Sequence, residues 1–486
     1  VRSLLAVANV TGWLLVIFAG YFLLPVATGL YYGEMGVAGI FAASGGVTGA
    51  AGMALALLTR GSRAQLKPRD GYLLVTVGWL LIVAAAALPL VFSGPGMTFT
   101  DAFFEAMSGV TTTGSTVIAG LDHLPHAINL WRHALHWLGG MGIIVLAVAI
   151  LPLLGVGGMQ MYRAESPGPV KDAKLTPRIT QSAKLLWTVY AGITLVCVLS
   201  LRAAGMDWFD AVCHAFSVMA LGGFSTHDAS VGWFDSARIE MLLVVFMSLA
   251  SLNFAAHFNA LRRGDPLAYF RDAEARWVLA AFAAGAAVTT LWLLAEGVYD
   301  GFWTALRHGL FSTVSVASTT GFATVDWGQW PLFGPVWMLF LSCIACSSGS
   351  TGGGIKMFRT LVLIKQSLRE MFVLVHPQAV APLKVAGSVV ANRIVYSVLA
   401  FIFVYFMSVL VLTFGLLATG LDLPTSLTAI LSSINNTGPG LGAVGPASNY
   451  AALTDLQTWL CTLAMFLGRM EVFTVLVLLT PTFWRK

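Results

Sequence analysis

Four glycines stand in comparable polar settings along this sequence: Gly114 in TTTGST, Gly223 in ALGGFST, Gly321 in STTGFAT and Gly438 in NNTGPG. A serine precedes each by six residues (Ser108, Ser217, Ser315, Ser432), and the glycines are 109, 98 and 117 residues apart. Self-similarity at such a period, inside an apolar chain, predicts four copies of one membrane unit. The chemistry on offer is that of the backbone. The loops carry Thr, Ser, Asn, Ala and Gly and no carboxylate. Carbonyl oxygens presented four times around one axis replace the water shell of a monovalent cation that must also leave, whereas carboxylates would suit a tightly held divalent ion. A single GxxT turn between helices would be ordinary in a membrane protein. Four at matched offsets are not.

Composition limits the alternatives. Of 486 residues 57% are hydrophobic and only 10% charged, with mean hydropathy +0.81, too little charge to cover a soluble surface. The chain is therefore expected to be an integral membrane protein, without a cleavable signal at its start. Five cysteines (Cys197, Cys213, Cys343, Cys346, Cys461) lie in or beside apolar runs. Cys343 and Cys346 form a CxxC, but no second CxxC or neighbouring histidine completes a metal site, and buried thiols are the expectation. A membrane enzyme finds no support: there is no nucleophile–base set, and His123, His126, His133 and His136 flank an outer mouth without ligand spacing.

The elements that must position the glycines follow from the hydrophobic runs. Two spans, about 4–30 and then to Leu58, lack a glycine copy and form an appendage (1–70). The repeats are expected at 71–158, 159–264, 265–385 and 386–486. Each holds a long apolar helix, a short amphipathic segment, the glycine stretch and a second long helix. These fall at 72–93, 100–110, 111–117 and 127–154; at 182–204, 208–219, 220–226 and 236–261; at 276–297, 301–317, 318–324 and 332–373; and at 391–418, 423–434, 435–440 and 452–483. The short segments cannot span, so they dip in and return, each aiming its negative C-terminal end at its loop.

Lys and Arg orient the chain. The connections 59–70, 160–184, 262–276 and 356–393 hold 4, 5, 4 and 6 of them, and with Arg2, Arg485 and Lys486 they place 22 of 27 on one side. By the positive-inside bias that side is cytoplasmic, so both termini are inside, the glycine loops face outward, and ten spans result. The net charge of +5 is thus an orientation signal, and nucleic acid is not an expected partner. The outer loops carry Asp101, Glu105, Asp122, Asp207, Asp210, Asp228, Asp235, Asp300, Asp326, Asp422 and Asp455, which either concentrate cations at the mouth or are solvated loop acids.

The runs STTGFAT, LGGFST and NNTGPG, with WLGGMGI at 137–143, GSTGGGIK at 349–356 and GRMEVFT at 468–474, give the chain a specific likeness. It resembles the pore-forming subunits of the Trk/Ktr/HKT superfamily of potassium transporters, most nearly the bacterial Trk branch, from about residue 70 to the end. The resemblance implies an all-α membrane fold: two N-terminal helices, then four tandem helix–pore-loop–helix repeats around a pseudo-fourfold pore. The ion-facing carbonyls would belong to Thr111, Thr112, Thr113 and Gly114; to Ala220, Leu221, Gly222 and Gly223; to Ser318, Thr319, Thr320 and Gly321; and to Asn435, Asn436, Thr437 and Gly438. It implies potassium uptake through the bacterial inner membrane, a homodimer, and a cytoplasmic ring of nucleotide-binding regulatory subunits. Potassium is then the transported ion, and nucleotide acts only through the regulatory subunit, since nothing in the chain resembles a nucleotide-binding domain.

Two further features belong to the expected gate. Gly349, Ser350, Thr351, Gly352, Gly353 and Gly354, ahead of Lys356, interrupt the second helix of the third repeat with more glycine than a regular span tolerates. Irregular backbone at that depth must line protein or a cavity. A phosphate loop is not indicated, because the GxxxxGK[ST] order is missing. By the resemblance the run is a mobile intramembrane loop below the carbonyls. By the same resemblance Arg469, near the centre of the last apolar run, would project into the pore beneath the carbonyls, raise the barrier to cations and touch that loop. An intramembrane arginine otherwise needs a buried carboxylate partner, and Glu471, two positions on, faces elsewhere. Asn253 and His257 are expected to make helix–helix hydrogen bonds. The rival function is a coupled symporter of Na+ or H+ with a monovalent cation, for which broken helices at the midplane would also serve.

Overall fold

The computed structural model describes residues 2–60, 68–93, 96–145, 179–265, 267–385 and 387–485. The N-terminal appendage is a hairpin in which Arg2–Tyr21 and Leu23–Tyr31 make one span and Met35–Leu58 returns. It closes on glycine: a Cβ on Gly12 would lie 2.7 Å from the Gly52 carbonyl, and one on Gly52 2.7 Å from that of Gly12, so neither tolerates a side chain. Glu34 in the turn accepts the amide hydrogens of His126 (2.7 Å) and Ala127 (3.0 Å), capping the inner helix of the first repeat and fixing the appendage to it.

Four repeats follow. Their outer helices are Pro68–Ser93, Ile179–Ala203, Ala273–Ala295 and Asn392–Ala418. The short helices are Phe99–Val110, Trp208–Ala220, Phe302–Ala317 and Leu423–Asn435, of 12, 13, 16 and 13 residues. At 1.5 Å per residue they reach roughly 18–24 Å, short of a ~30 Å hydrocarbon core. Three start at a side-chain cap sixteen residues before the glycine: Thr98, Asp207 and Asp422 each accept the backbone N–H three residues on. Among the described residues the one strand pairing is a small antiparallel ribbon of Lys384–Val385 with Ser388–Val389.

The inner helices depart most from expectation. His126–Val145 runs to the edge of the described residues, so its expected end at 154 and the connection 160–184 as far as 178 lie outside them. The expected helix 236–261 is two, Ala237–Ala250 and Phe254–Arg263, bent by 98°. Asn253 caps the second through the Ala255 amide (2.8 Å), and the Ser251 carbonyl accepts the Ser347 amide (3.0 Å). His257 bonds the Tyr269 hydroxyl and the Leu249 carbonyl, each at 2.9 Å. The third inner helix is Phe333–Ile344, the glycine-rich break, then Met357–Val375. The expected helix 452–483 turns by 103° after Asp455–Arg469. Glu471 and Val472 take φ of 53° and 46° there, and Glu471 pairs with Arg359 at 2.6 Å. Arg469 is therefore the last residue of its helix and not at the middle of a span. Among the described residues six helices are long and apolar enough to cross a membrane, eight with the two bent pairs.

Candidate functional site

All four glycine loops share one backbone conformation. The residue two before the glycine is left-handed, with φ of 55° at Thr112, 55° at Leu221, 61° at Thr319 and 54° at Asn436, and the glycines follow at 82°, 76°, 85° and 99°. The serine offset has a structural meaning. The backbone carbonyls of Ser108, Ser217, Ser315 and Ser432 accept the amides of Thr113, Gly222, Thr320 and Thr437, each at 2.9 Å, which closes the short helix onto its loop.

The loops form a closed ring in sequence order. A Cβ on Gly114 would lie 1.9 Å from the Gly222 carbonyl oxygen, one on Gly223 1.9 Å from that of Thr320, and one on Gly321 2.0 Å from that of Thr437. A Cβ on Gly438 would lie 2.9 Å from the Thr113 oxygen, which closes the circle. The loop side chains point the other way and are buried: the Thr111 and Thr113 hydroxyls meet at 2.7 Å, as do those of Ser318 and Thr320. Asn436 donates to the Thr113 hydroxyl (2.9 Å) and the Met465 carbonyl (3.0 Å), and Asn435 takes the Tyr405 hydroxyl at 2.6 Å. With side chains turned outward, the polar groups left for the centre are carbonyl oxygens. All four glycines border an outer cavity of about 80 Å³.

The mouth is braced by charges that the sequence did not pair. Arg132 and Glu105, both buried, meet at 2.7 Å, Glu105 also accepting the Thr116 hydroxyl and the Val117 amide at 3.0 Å; the guanidinium lies 4.2 Å over Phe224, next to Gly223. Arg307 spans Glu240 (2.7 Å) and Asp235 (3.1 Å). His133 and His136 stand behind the second loop, one 3.1 Å from the Phe224 carbonyl, the other stacked on the Phe224 ring. Among the described residues no cluster of His, Cys, Asp or Glu has metal-site geometry. Asp228 takes the Gly120 and Leu121 amides at 3.1 Å. Several outer acids are thus engaged in caps and pairs.

His227 joins two loops at the rim, bonding Asp122 at 2.5 Å and Asp210 at 3.2 Å. Burial lowers its pKa, but the bonds to the two carboxylates outweigh that and hold it above the usual histidine value. A raised pKa stabilises the fold fully below the unfolded value of about 6.5 and loses that contribution as pH rises through the folded one. Asp122 is shifted the other way: its tendency to rise on burial is overcome by the His227 bond, so it stays ionised where His227 is protonated, and its own contribution is lost only as pH falls through the carboxylate range. His227→Gln should therefore lower thermal stability most near pH 5–6, by on the order of 1 kcal/mol, with the difference closing toward pH 9. A difference that does not vary with pH would remove the bridge from the account.

The glycine-rich loop lies against the deep side of the ring, opposite the cavity. A Cβ on Gly353 would lie 2.0 Å from the Asn435 carbonyl, Gly353 donates to the Thr319 hydroxyl (3.1 Å), and the Thr351 hydroxyl donates to the Met219 carbonyl (3.0 Å). Gly349, Gly354 and Lys356 have φ of 75°, 75° and 73°. Arg469 donates to the Thr351 carbonyl (3.0 Å) and the Gly139 carbonyl (2.7 Å); no carboxylate partner is found for it among the described residues. Both shoulders of the loop are pinned by one carboxylate, since Glu274 accepts the amides of Ser348 (2.6 Å) and Phe358 (3.2 Å). Leaving two buried amides unmet costs about 1–3 kcal/mol each. Glu274→Ala should accordingly loosen the loop and raise resting rubidium flux several-fold in liposomes, while Glu274→Gln, which keeps an acceptor oxygen, should stay near the parent. Parent-like flux from a folded Ala variant would show that the clip does not position the loop.

A protein-family model described as TrkH, cation transport protein, matches residues 40–486. Curated relatives include the Trk system potassium uptake protein TrkH of Salmonella typhimurium, 44% identical over 482 residues and 99% of each chain, and that of Halomonas elongata, 43% identical over 488 residues and 100% of each. The Trk system potassium uptake protein TrkG of Escherichia coli is 37% identical over 481 residues, covering 99% of this chain and 98% of its own. The crystal structure of the potassium transporter TrkH from Vibrio parahaemolyticus superposes with TM-score 0.91 at 42% identity, over 100% of this chain and 99% of that one.

Proposed function

The chain belongs to the TrkH family of cation transport proteins and is a potassium uptake protein; from that premise we propose how it works. Potassium passes inward along the axis of the four glycine loops, losing its water to the carbonyls of 111–114, 220–223, 318–321 and 435–438. The observation that carries this reading is the ring in which each glycine faces the next loop's carbonyl oxygen. The glycine-rich loop 349–354, with Lys356 after it, is the gate on the deep side, and Arg469 is the charge beside it. The functional units are the appendage 1–70 and the repeats 71–158, 159–264, 265–385 and 386–486. Both termini lie in the cytoplasm of a bacterium, with the chain in the inner membrane, a reading supported by the basic connections. Two copies form a homodimer on a cytoplasmic ring of nucleotide-binding regulatory subunits, through which alone nucleotide acts.

Purified protein in liposomes, loaded with potassium gradients and traced with rubidium, tests this against coupled symport. A pore gives passive flux that follows the cation's own gradient with no requirement for a proton or sodium gradient. Flux that needs either gradient, at zero potassium gradient, would favour the symporter.

A further inference from the structure

The four loops are not equivalent at their outer ends. In the first three, no donor among the described residues reaches the carbonyl of Gly114, Gly223 or Gly321. In the second and third it is the following residue whose carbonyl is held from behind: Phe224 O lies 3.1 Å from Nε2 of His133, and Phe322 O accepts the Ser315 hydroxyl at 2.7 Å. The fourth loop is reversed. The Gly438 carbonyl accepts the Ser115 hydroxyl at 3.1 Å and the Tyr450 phenol at 2.9 Å, which occupies both of its lone pairs. Two sequence features account for this. Only here is the glycine followed by proline, Pro439, which offers no N–H and restricts the residue before it. Tyr450 is also fixed in place: its ring packs on Phe104 at 5.4 Å, its amide donates to the Thr116 carbonyl at 2.8 Å, and it is 2% exposed.

We propose that Tyr450 and Ser115 are specificity-determining residues: by engaging the Gly438 carbonyl they leave an outermost ring of three available carbonyls, which holds an entering monovalent cation loosely. Fewer and weaker oxygens there speed release into the path and leave discrimination between potassium and sodium to the deeper rings. Removing the two donors restores a fourth oxygen. The inference rests on the glycine loops being the cation path.

The test is rubidium uptake into liposomes by the full chain, measured against external rubidium and with sodium as competitor, for Tyr450→Phe, Ser115→Ala and the double variant. Tyr450→Phe keeps the ring that packs on Phe104, so a packing role alone would leave it silent. The expected result is half-saturation at several-fold lower external rubidium, and weaker competition by sodium, with the double variant beyond either single. Conducting variants with parental half-saturation and cation order overturn the proposal. Should the double variant fail to fold, Ser115→Ala alone is read by the same two criteria. The underlying reading fails separately, if the parent protein gives no gradient-following rubidium flux.

Discussion

Gly321→Ser is expected to lower the preference for potassium over sodium by about tenfold while the protein still folds. Two costs meet at this residue. Its φ of +85° is one that L side chains rarely adopt, and its Cβ would stand 2.0 Å from the Thr437 carbonyl oxygen, with Pro439 at 2.8 Å. The left-handed conformation costs roughly 1–2 kcal/mol, and the overlap has to be relieved by moving backbone, because no flexible side chain is in the way. The oxygen displaced is one of those proposed to line the cation path. A loss of about 1.4 kcal/mol in the difference between two ions is a factor of ten in their ratio. The same substitution at Gly114 or Gly223 should act alike, since the nearest oxygen is 1.9 Å away in both. At Gly438, where it is 2.9 Å away, the effect should be smaller. Bi-ionic flux measurements in liposomes check the order, and unchanged cation ranking in Gly321→Ser would detach the glycines from selectivity.

What the sequence made legible here was written in backbone demands. A positive φ combined with a carbonyl pressed against the Cβ position demands glycine, so the four loops stood out as Gly114, Gly223, Gly321 and Gly438 without any contact being known. The glycine-rich interruption was visible for the same reason. The helix breaks at 251–253 and 470–472 were not, because neither carries Gly or Pro and both lie within apolar runs. They are imposed from outside the segment: the Ser251 carbonyl is taken by Ser347, and Gly468 presses on the Ile434 carbonyl, its Cβ position 1.9 Å away, while Glu471 is drawn to Arg359. Glu274 escaped notice for a related reason. It stands in a basic connection and reads as a helix-start acid, and its two amide partners lie 74 and 84 residues downstream. Buried partners such as Arg132 with Glu105, or Tyr450 with Gly438, are long-range choices that periodicity does not encode. The i, i+3 pair His133 and His136, on one face with Asn129 and Arg132, was the one available signal that this helix serves the second loop.

Arg469→Ala is expected to raise cation flux by at least tenfold while leaving the ranking of cations largely intact. The guanidinium is 4% exposed and spans from the Thr351 carbonyl of the glycine-rich loop to the Gly139 carbonyl of the first repeat's inner helix. Gly139 in turn sits on the Val110 carbonyl at the end of the first short helix, where a Cβ would approach to 2.0 Å. On the proposed path the residue would contribute in two ways, as a positive charge beside it and, through these two bonds, as a tie that holds the loop beneath the ring. A cation passing 4 Å from it at an effective dielectric near 20 meets about 4 kcal/mol of repulsion, on the order of a thousandfold in rate before water and side chain relax. Arg469→Lys separates the two contributions. It keeps the charge but lacks the planar fork that reaches both carbonyls, so low flux in Lys with high flux in Ala assigns the barrier to charge, whereas high flux in both assigns it to the tie. Selectivity should survive either way, because the carbonyls proposed to set it lie beyond the loop. A folded Ala variant with parental flux would place Arg469 outside the conduction path altogether, its two carbonyl bonds then serving only to join the fourth repeat to the first.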